Sequence, residues 1–193
     1  MSDLRAGSDV PTEHADPAEP RRGQSVVIVY TGDGKGKSSA AWGLMVRALA
    51  RGWKVAVVQF VKSGAWKVGE EKLGRELGVD WWAIGEGFTW LSEDLSRDEA
   101  VAGEAWRHAR AVIEAGEHEV VILDEITYPI TWGWLDGDEV AATLAGRPSR
   151  VSVVATGRNA PDTLVAVADT VTEMRKVKHA YDAGVMARKG LDY

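Results

Sequence analysis

From Gln24 onward, short runs of apolar residues alternate with longer stretches in which apolar residues recur every three or four positions. The short runs, residues 26–30, 54–60, 79–84, 120–124, 151–156 and 170–173, predict strands. Several are near-continuous in Val and Ile rather than alternating, the pattern of strands with both faces covered. The longer stretches, residues 37–51, 67–77, 97–115, 138–146 and 161–167, predict helices. In the third, Ser96 and Glu99 have capping-box spacing, and Val101, Ala105, Ala109, Val112 and Ile113 share one face. Gly116 follows where a helix C-cap belongs. Strands alternating with helices imply right-handed crossovers and a mainly parallel sheet. The predicted architecture is a single α/β domain over residues 25–193, a mainly parallel sheet flanked by helices. Residues 1–24 carry charges, Pro11, Pro17 and Pro20, and almost no large apolar side chains. Such a segment buries too little surface to offset ordering, so it reads as a disordered or partner-dependent arm.

Between the first strand and the first helix lies T-G-D-G-K-G-K-S, Thr31 to Ser38. Strand, glycine-rich turn and helix together form the context of a phosphate-binding loop. Gly32, Gly34 and Gly36 permit backbone angles closed to other residues, and the helix N-terminus adds the positive end of its dipole. Lys37 supplies a mobile charge for phosphates, and the Ser38 hydroxyl is a candidate Mg²⁺ ligand. Asp33, Lys35 and Ser39 complete the candidate nucleotide-binding set. One position departs from the usual motif: Thr31 stands where the first glycine is expected. A tight strand-to-helix connection would also use glycines, but glycine alternation followed by Gly-Lys-Ser favours a nucleoside triphosphate site.

Composition narrows the field. A net charge of -6 argues against a general nucleic-acid binder, though not against a local basic cleft. The absence of cysteine removes disulfides, Fe–S clusters, thiolate zinc sites and cysteine nucleophiles. No apolar run approaches the ~18 residues of a membrane span, and the N-terminus lacks a signal-peptide core, so a cytoplasmic protein is expected.

The run V-V-I-L-D-E, residues 120–125, ends a buried strand in carboxylates at the edge of the sheet where ligands bind. Asp124 is thus a candidate partner, direct or indirect, of the ion held by Ser38, and Glu125 either ligates metal or polarises water. These features suit a phosphate-loop ATPase or kinase equally well. Three others fit those classes poorly. Six of the nine tryptophans (Trp66, Trp81, Trp82, Trp90, Trp132, Trp134) fall in or beside predicted loops or strand ends. Some belong to the core, but Gly85 to Trp90 (GEGFTW) is a glycine-hinged loop after a strand, suited either to a large flat ligand or to plugging the sheet. Arg158, after the fifth strand, is placed to reach phosphates or a carboxylate. The closing segment carries Arg175, Lys176, Lys178, Arg188 and Lys189 beside His179, Tyr181 and Asp182, either a solvated tail or a cationic flap.

Together TGDGKGKS, VVQF (57–60), GFTW (87–90), LDEITY (123–128), TGR (156–158) and ADTVTEMRKVKHAYDAGVMARKGLDY (168–193) resemble the ATP:corrinoid adenosyltransferases of the CobA/CobO/BtuR type. The resemblance runs from about Gln24 to Tyr193, and its last segment has no generic phosphate-loop counterpart. It implies a RecA-like phosphate-loop fold, commonly a homodimer. It also implies transfer of the 5′-deoxyadenosyl group of ATP to Co(I) of a corrinoid, with release of triphosphate. The acceptor would be cobyrinic acid a,c-diamide, cobinamide or cobalamin, and a flavoprotein or other reductant would supply Co(I). Gly34, Gly36, Lys37 and Ser38 would hold triphosphate with Mg²⁺ on Ser38. Glu125 would match the family carboxylate near metal and ribose. Phe88 and Trp90 would pack on the lower corrin face and exclude an axial cobalt ligand. Some members cover a site with an N-terminal helix, a pattern from which residues 1–22 depart. From the charges alone, Arg158 and the closing segment are expected to neutralise triphosphate.

Overall fold

A computed structural model describes residues 25–61, 69–85 and 95–191. Its strands are β1 (Val27–Thr31), β2 (Val55–Gln59), β3 (Asp80–Ala83), β4 (Val120–Asp124), β5 (Ser152–Thr156) and β6 (Thr170–Glu173). Its helices are α1 (Lys37–Leu49), α2 (Gly69–Glu76), α3 (Leu95–Ala115), α4 (Thr127–Thr131), α5 (Gly137–Ala145) and α6 (Asp162–Val167), with a 3₁₀ turn at Ala180–Ala183. The six strands form one sheet in the order β3-β2-β4-β5-β1-β6, and every pairing is parallel. This is the parallel α/β architecture that the alternation of elements predicts, and it is consistent with the RecA-like phosphate-loop fold that the resemblance implies.

Handedness assigns the helices to faces. The chain moves one way along the sheet from β1 to β2 to β3, then returns through β4 and β5, so right-handed crossovers put α1 and α2 opposite α3, α5 and α6. Side chains alternate accordingly. Val55 and Val57 of β2, Trp81 of β3, Val120 and Ile122 of β4 and Val154 of β5 pack with Ala41, Trp42 and Met45 of α1. Ala56, Val58, Val121, Leu123, Val153 and Ala155 pack on the other face with Ala105, Trp106, Ala109 and Ile113 of α3 and Leu144 of α5. The central strands β2 and β4 are buried at every position, which explains their continuous Val/Ile runs.

Three local features differ from the sequence reading. Helix α3 begins at Leu95, so Ser96 lies within its first turn and not at the cap. Its buried face is completed by Ala102 and Trp106, whereas Val112 is only partly buried. Helix α4, five residues with Pro129 inside it, lacks any periodic stretch long enough to predict. Gly116, with φ 65°, does end α3, its N–H donating to the Ile113 carbonyl.

Candidate nucleotide and metal site

The period of two along each strand, together with register, assembles the site. Asp124 has the parity of Val120 and Ile122, so its side chain lies on the α1 face, where Ser38 opens the helix. Gln59 pairs directly with Asp124, and Leu123 pairs with Ala155, which makes Thr156 the next neighbour. The result is a closed set of bonds around one buried carboxylate. Ser38 Oγ donates to Asp124 Oδ1 at 2.8 Å, and Thr156 Oγ1 donates to the same oxygen at 2.8 Å. Gln59 Nε2 donates to Asp124 Oδ2 at 3.0 Å. Thr156 Oγ1 also accepts the Glu125 N–H at 3.0 Å. Asp124, Thr156 and Gln59 are almost wholly removed from solvent.

Glu125 leaves β4 with φ 65°, a left-handed conformation that a non-glycine residue adopts only under constraint. The turn hands the chain to α4, and the Thr127 hydroxyl donates to the Arg158 carbonyl at 2.6 Å. Gly157, with φ 139°, sits against the Thr127 side chain so closely that a Cβ there has no room. The β4 and β5 ends are therefore locked together, which carries Arg158 beside the loop.

Lys37 is buried, and its Nζ donates to the carbonyls of Gly32 at 2.8 Å and Gly34 at 2.7 Å. Burial holds its pKa below the ordinary lysine value; Glu125 and Asp33 pull it back up, and Arg158 pushes it down with burial. Tyr128 is held above the ordinary phenol value by burial and by Glu125. Lys37, Glu125, Arg158 and Tyr128 thus share one electrostatic neighbourhood at the carboxyl end of the sheet. Tyr128 stacks on Trp132 with ring centroids 5.2 Å apart, and Trp132 packs on Trp134 at 4.7 Å, so three neighbouring aromatics form a cluster that meets Glu125 through Tyr128. Trp81, by contrast, is core and packs on Trp42 at 4.9 Å.

The glycines of the loop have a neighbour that their spacing does not announce. β6 pairs with β1, and the chain leaving it runs over the loop: Met174 N–H donates to the Thr31 carbonyl at 2.8 Å, and Gly34 N–H donates to the Met174 carbonyl at 2.6 Å. Lys176 N–H donates to Asp33 Oδ1 at 3.1 Å, the main reason that carboxyl is held below its usual range. A Cβ on Gly34 would lie 2.6–2.8 Å from Met174 and Arg175 backbone atoms. Gly34 does not have a positive φ, unlike Gly32 and Gly36, so its requirement is close approach alone. Gly34→Ala is accordingly expected to lower stability by about 1–3 kcal/mol through overpacking. A drop in the thermal midpoint with faster proteolysis of the closing segment would show it; an unchanged midpoint would mean that Met174 is not held there.

Ser39 is exposed on α1, and Arg158 is exposed with its main-chain carbonyl engaged. Phe88 and Trp90, with Trp66, lie outside the described residues. The sequence reading did not single out Gln59, Thr127, Met174 or the side chain of Thr156. A polar residue ending an otherwise apolar strand, as in VAVVQ and SVVAT, was the available signal for Gln59 and Thr156. Ser38, Asp124 and Glu125 offer only hard oxygen donors, which suits Mg²⁺, an ion that keeps water and takes phosphate oxygens beside one or two carboxylates. Among the described residues no group of three or more His, Cys, Asp or Glu is gathered as an all-protein cage.

A parallel sheet whose first strand feeds TGDGKGKS, with a buried aspartate two strands away on the Ser38 hydroxyl, defines a phosphate-loop nucleotide-binding protein. Residues 23–193 match the family ATP:corrinoid adenosyltransferase BtuR/CobO/CobP. Similar curated proteins include the corrinoid adenosyltransferase of Escherichia coli K12, 43% identical over 176 residues, covering 91% of this chain and 88% of that protein. The corrinoid adenosyltransferase of Pseudomonas aeruginosa is 44% identical over 178 residues, covering 91% of this chain and 87% of that protein. Corrinoid adenosyltransferase CobA of Salmonella typhimurium is 40% identical over 176 residues, covering 91% of this chain and 89% of that protein. The chain belongs to the ATP:corrinoid adenosyltransferase family, whose members transfer the adenosyl group of ATP to a corrinoid in cobalamin biosynthesis.

Proposed function

We propose that this chain moves the 5′-deoxyadenosyl group from ATP to Co(I) of a corrinoid and releases inorganic triphosphate. The observation that carries the reading is the seat of the closing segment. This segment lies within the family match, and ordinary phosphate-loop ATPases do not need it; here it is hydrogen-bonded to the phosphate loop through Met174 and Lys176. The cobalt attacks C5′, the C5′–O5′ bond breaks, and its electron pair leaves on the triphosphate. A metal nucleophile of that kind requires no general base.

In this reading the loop grips the leaving group instead of presenting a γ-phosphoryl group. Lys37 exchanges its bonds to the Gly32 and Gly34 carbonyls for triphosphate oxygens, and Arg158 adds charge from the β5 end. Ser38, Asp124 and Glu125 would hold Mg²⁺, which would supply positive charge to the departing triphosphate. Phe88 and Trp90 would pack on the lower corrin face and exclude an axial cobalt ligand, which would make Co(II) easier to reduce. Trp90→Ala is therefore expected to slow reaction from Co(II) plus reductant more than reaction from pre-reduced Co(I). Equal losses in the two assays would remove that role.

The proposal includes a cytoplasmic protein with a separate flavoprotein or other reductant, a homodimer, and residues 1–24 as an arm outside the catalytic domain of residues 25–193. No helix among the described residues is long and apolar enough to cross a membrane. Exposed Val177, Tyr181, Val185 and Met186 on the closing segment support a covering subunit or ligand. The test is anaerobic incubation with ATP, Mg²⁺ and chemically reduced cobalamin, following the corrinoid spectrum and triphosphate. Light-sensitive adenosylated product with stoichiometric triphosphate is expected. Steady release of ADP and phosphate without corrinoid would instead identify an ATPase with Glu125 activating water.

A further inference from the structure

Behind the Ser38–Asp124 contact stands a second row of buried polar groups. We infer that Gln59 is a positioning residue for the metal and phosphate site, and that through Trp81 it ties the end of β3 to that site. The inference rests on the reading of Ser38 and Asp124 as Mg²⁺ partners.

A carboxylate rotates about its last torsion unless both oxygens are held. Two hydroxyls share Oδ1 of Asp124, and the Gln59 amide holds Oδ2. A glutamine amide can itself sit in two orientations of nearly equal shape. Here the choice is made by Trp81, whose indole Nε1–H donates at 2.9 Å. An indole nitrogen only donates, so the atom facing it is Oε1, and Nε2 must then face Asp124. Trp81 in turn has little freedom. Its ring lies on Trp42 of α1, and a Cβ on Gly74 would stand 2.9 Å from it. Gln59, Trp81 and Asp124 are each at most 2% exposed, so no water competes for these bonds.

The main chain of the same residue repeats the connection. The Gln59 carbonyl accepts the Ile84 N–H at 3.0 Å, and the next residue, Phe60, donates its N–H to the Asp124 carbonyl at 3.1 Å. The ends of β3 and β4 both hang on this corner of β2. An alignment of the Asp124 carboxylate that depends on Trp81 is thereby made sensitive to the position of β3.

A merely structural Gln59 would affect stability and nothing else. Two variants separate the cases. Gln59→Leu keeps most of the volume and removes both polar ends. Gln59→Glu keeps the acceptor for Trp81 but sets a carboxylate against Asp124 Oδ2. ATP binding is measured by calorimetry in EDTA and with Mg²⁺, and the Trp81 indole N–H resonance is followed by NMR, assigned with Trp81→Phe. The increase in ATP affinity that Mg²⁺ confers should shrink about 10-fold in Gln59→Leu, while affinity in EDTA stays at the wild-type value. In Gln59→Glu that increase should be lost, because a second carboxylate replaces the amide donor at Asp124 Oδ2. The indole resonance should shift on addition of Mg²⁺ and ATP in the wild type but not in Gln59→Leu. A lower unfolding midpoint with the Mg²⁺ effect intact would overturn the proposal, as would equal losses with and without Mg²⁺. Failure of the metal reading itself appears in the wild type, as ATP binding that Mg²⁺ does not strengthen, and would overturn both.

Discussion

Lys37→Ala is expected to lower adenosyl transfer by about 10²–10³-fold, the scale of losing one positioned donor to a developing anion. The loss should be seen in binding of inorganic triphosphate as much as in turnover, because this ammonium is assigned to the leaving group. Its environment explains the size of the effect. Lys37 is buried, and burial already disfavours its charge, so the ammonium is poorly solvated and gains more from an anion than an exposed lysine would. Its partners in the structure are two loop carbonyls, which are weaker acceptors than phosphate oxygens. Alanine also leaves those carbonyls without the lysine, so the thermal midpoint should fall somewhat. Saturating ATP should not restore the rate. A variant that kept near-wild-type transfer would remove the phosphate loop from the mechanism.

Asp124→Asn is expected to reduce activity about 10–100-fold, with a rise in the Mg²⁺ concentration needed for half-maximal rate. The carboxylate accepts from Ser38, Thr156 and Gln59, all donors in this arrangement. An asparagine must put its own NH₂ against one of them. Toward Gln59 that is a clash of donors, and Gln59 cannot turn over without facing its NH₂ to the Trp81 indole N–H. Toward Ser38 and Thr156 the hydroxyls can rotate to accept, at the expense of the geometry that holds Ser38. Stability should fall by about 1–3 kcal/mol, the range for an imperfectly paired buried group. Chemical denaturation with and without Mg²⁺ and ATP would measure both parts. Unchanged Mg²⁺ dependence would move the metal away from Asp124.

Both predictions concern residues visible in the sequence, because each belongs to a local pattern with a local cause. A continuous run such as VVILD announces a strand buried on both faces, and the carboxylates ending it stand out against the Val and Ile before them. A glycine-lysine-serine turn after a strand carries its own context. The aromatic residues were less legible. Trp81 and Trp132 are the same residue type, yet one packs against α1 in the core and the other gathers with Tyr128 and Trp134. Side-chain type alone does not separate those outcomes, since a large ring serves either.

The sequence by itself determined the order of the strands and the longer helices, the parallel sheet, the phosphate loop and the family, all of which follow from periodicity and from short contiguous motifs. Tertiary structure alone decided which distant residues meet. Gln59 faces Asp124 because β2 and β4 pair in one register; a shift by a single residue would turn Gln59 to the opposite face. Met174 reaches Gly34 because β6 pairs with β1 across a sequence gap that no local pattern spans. The left-handed turn at Glu125 arises from the locked β4 and β5 ends rather than from any turn-forming residue at that position. In each case the deciding term is a long-range contact, whose partner cannot be read from the residue's own neighbours in the chain.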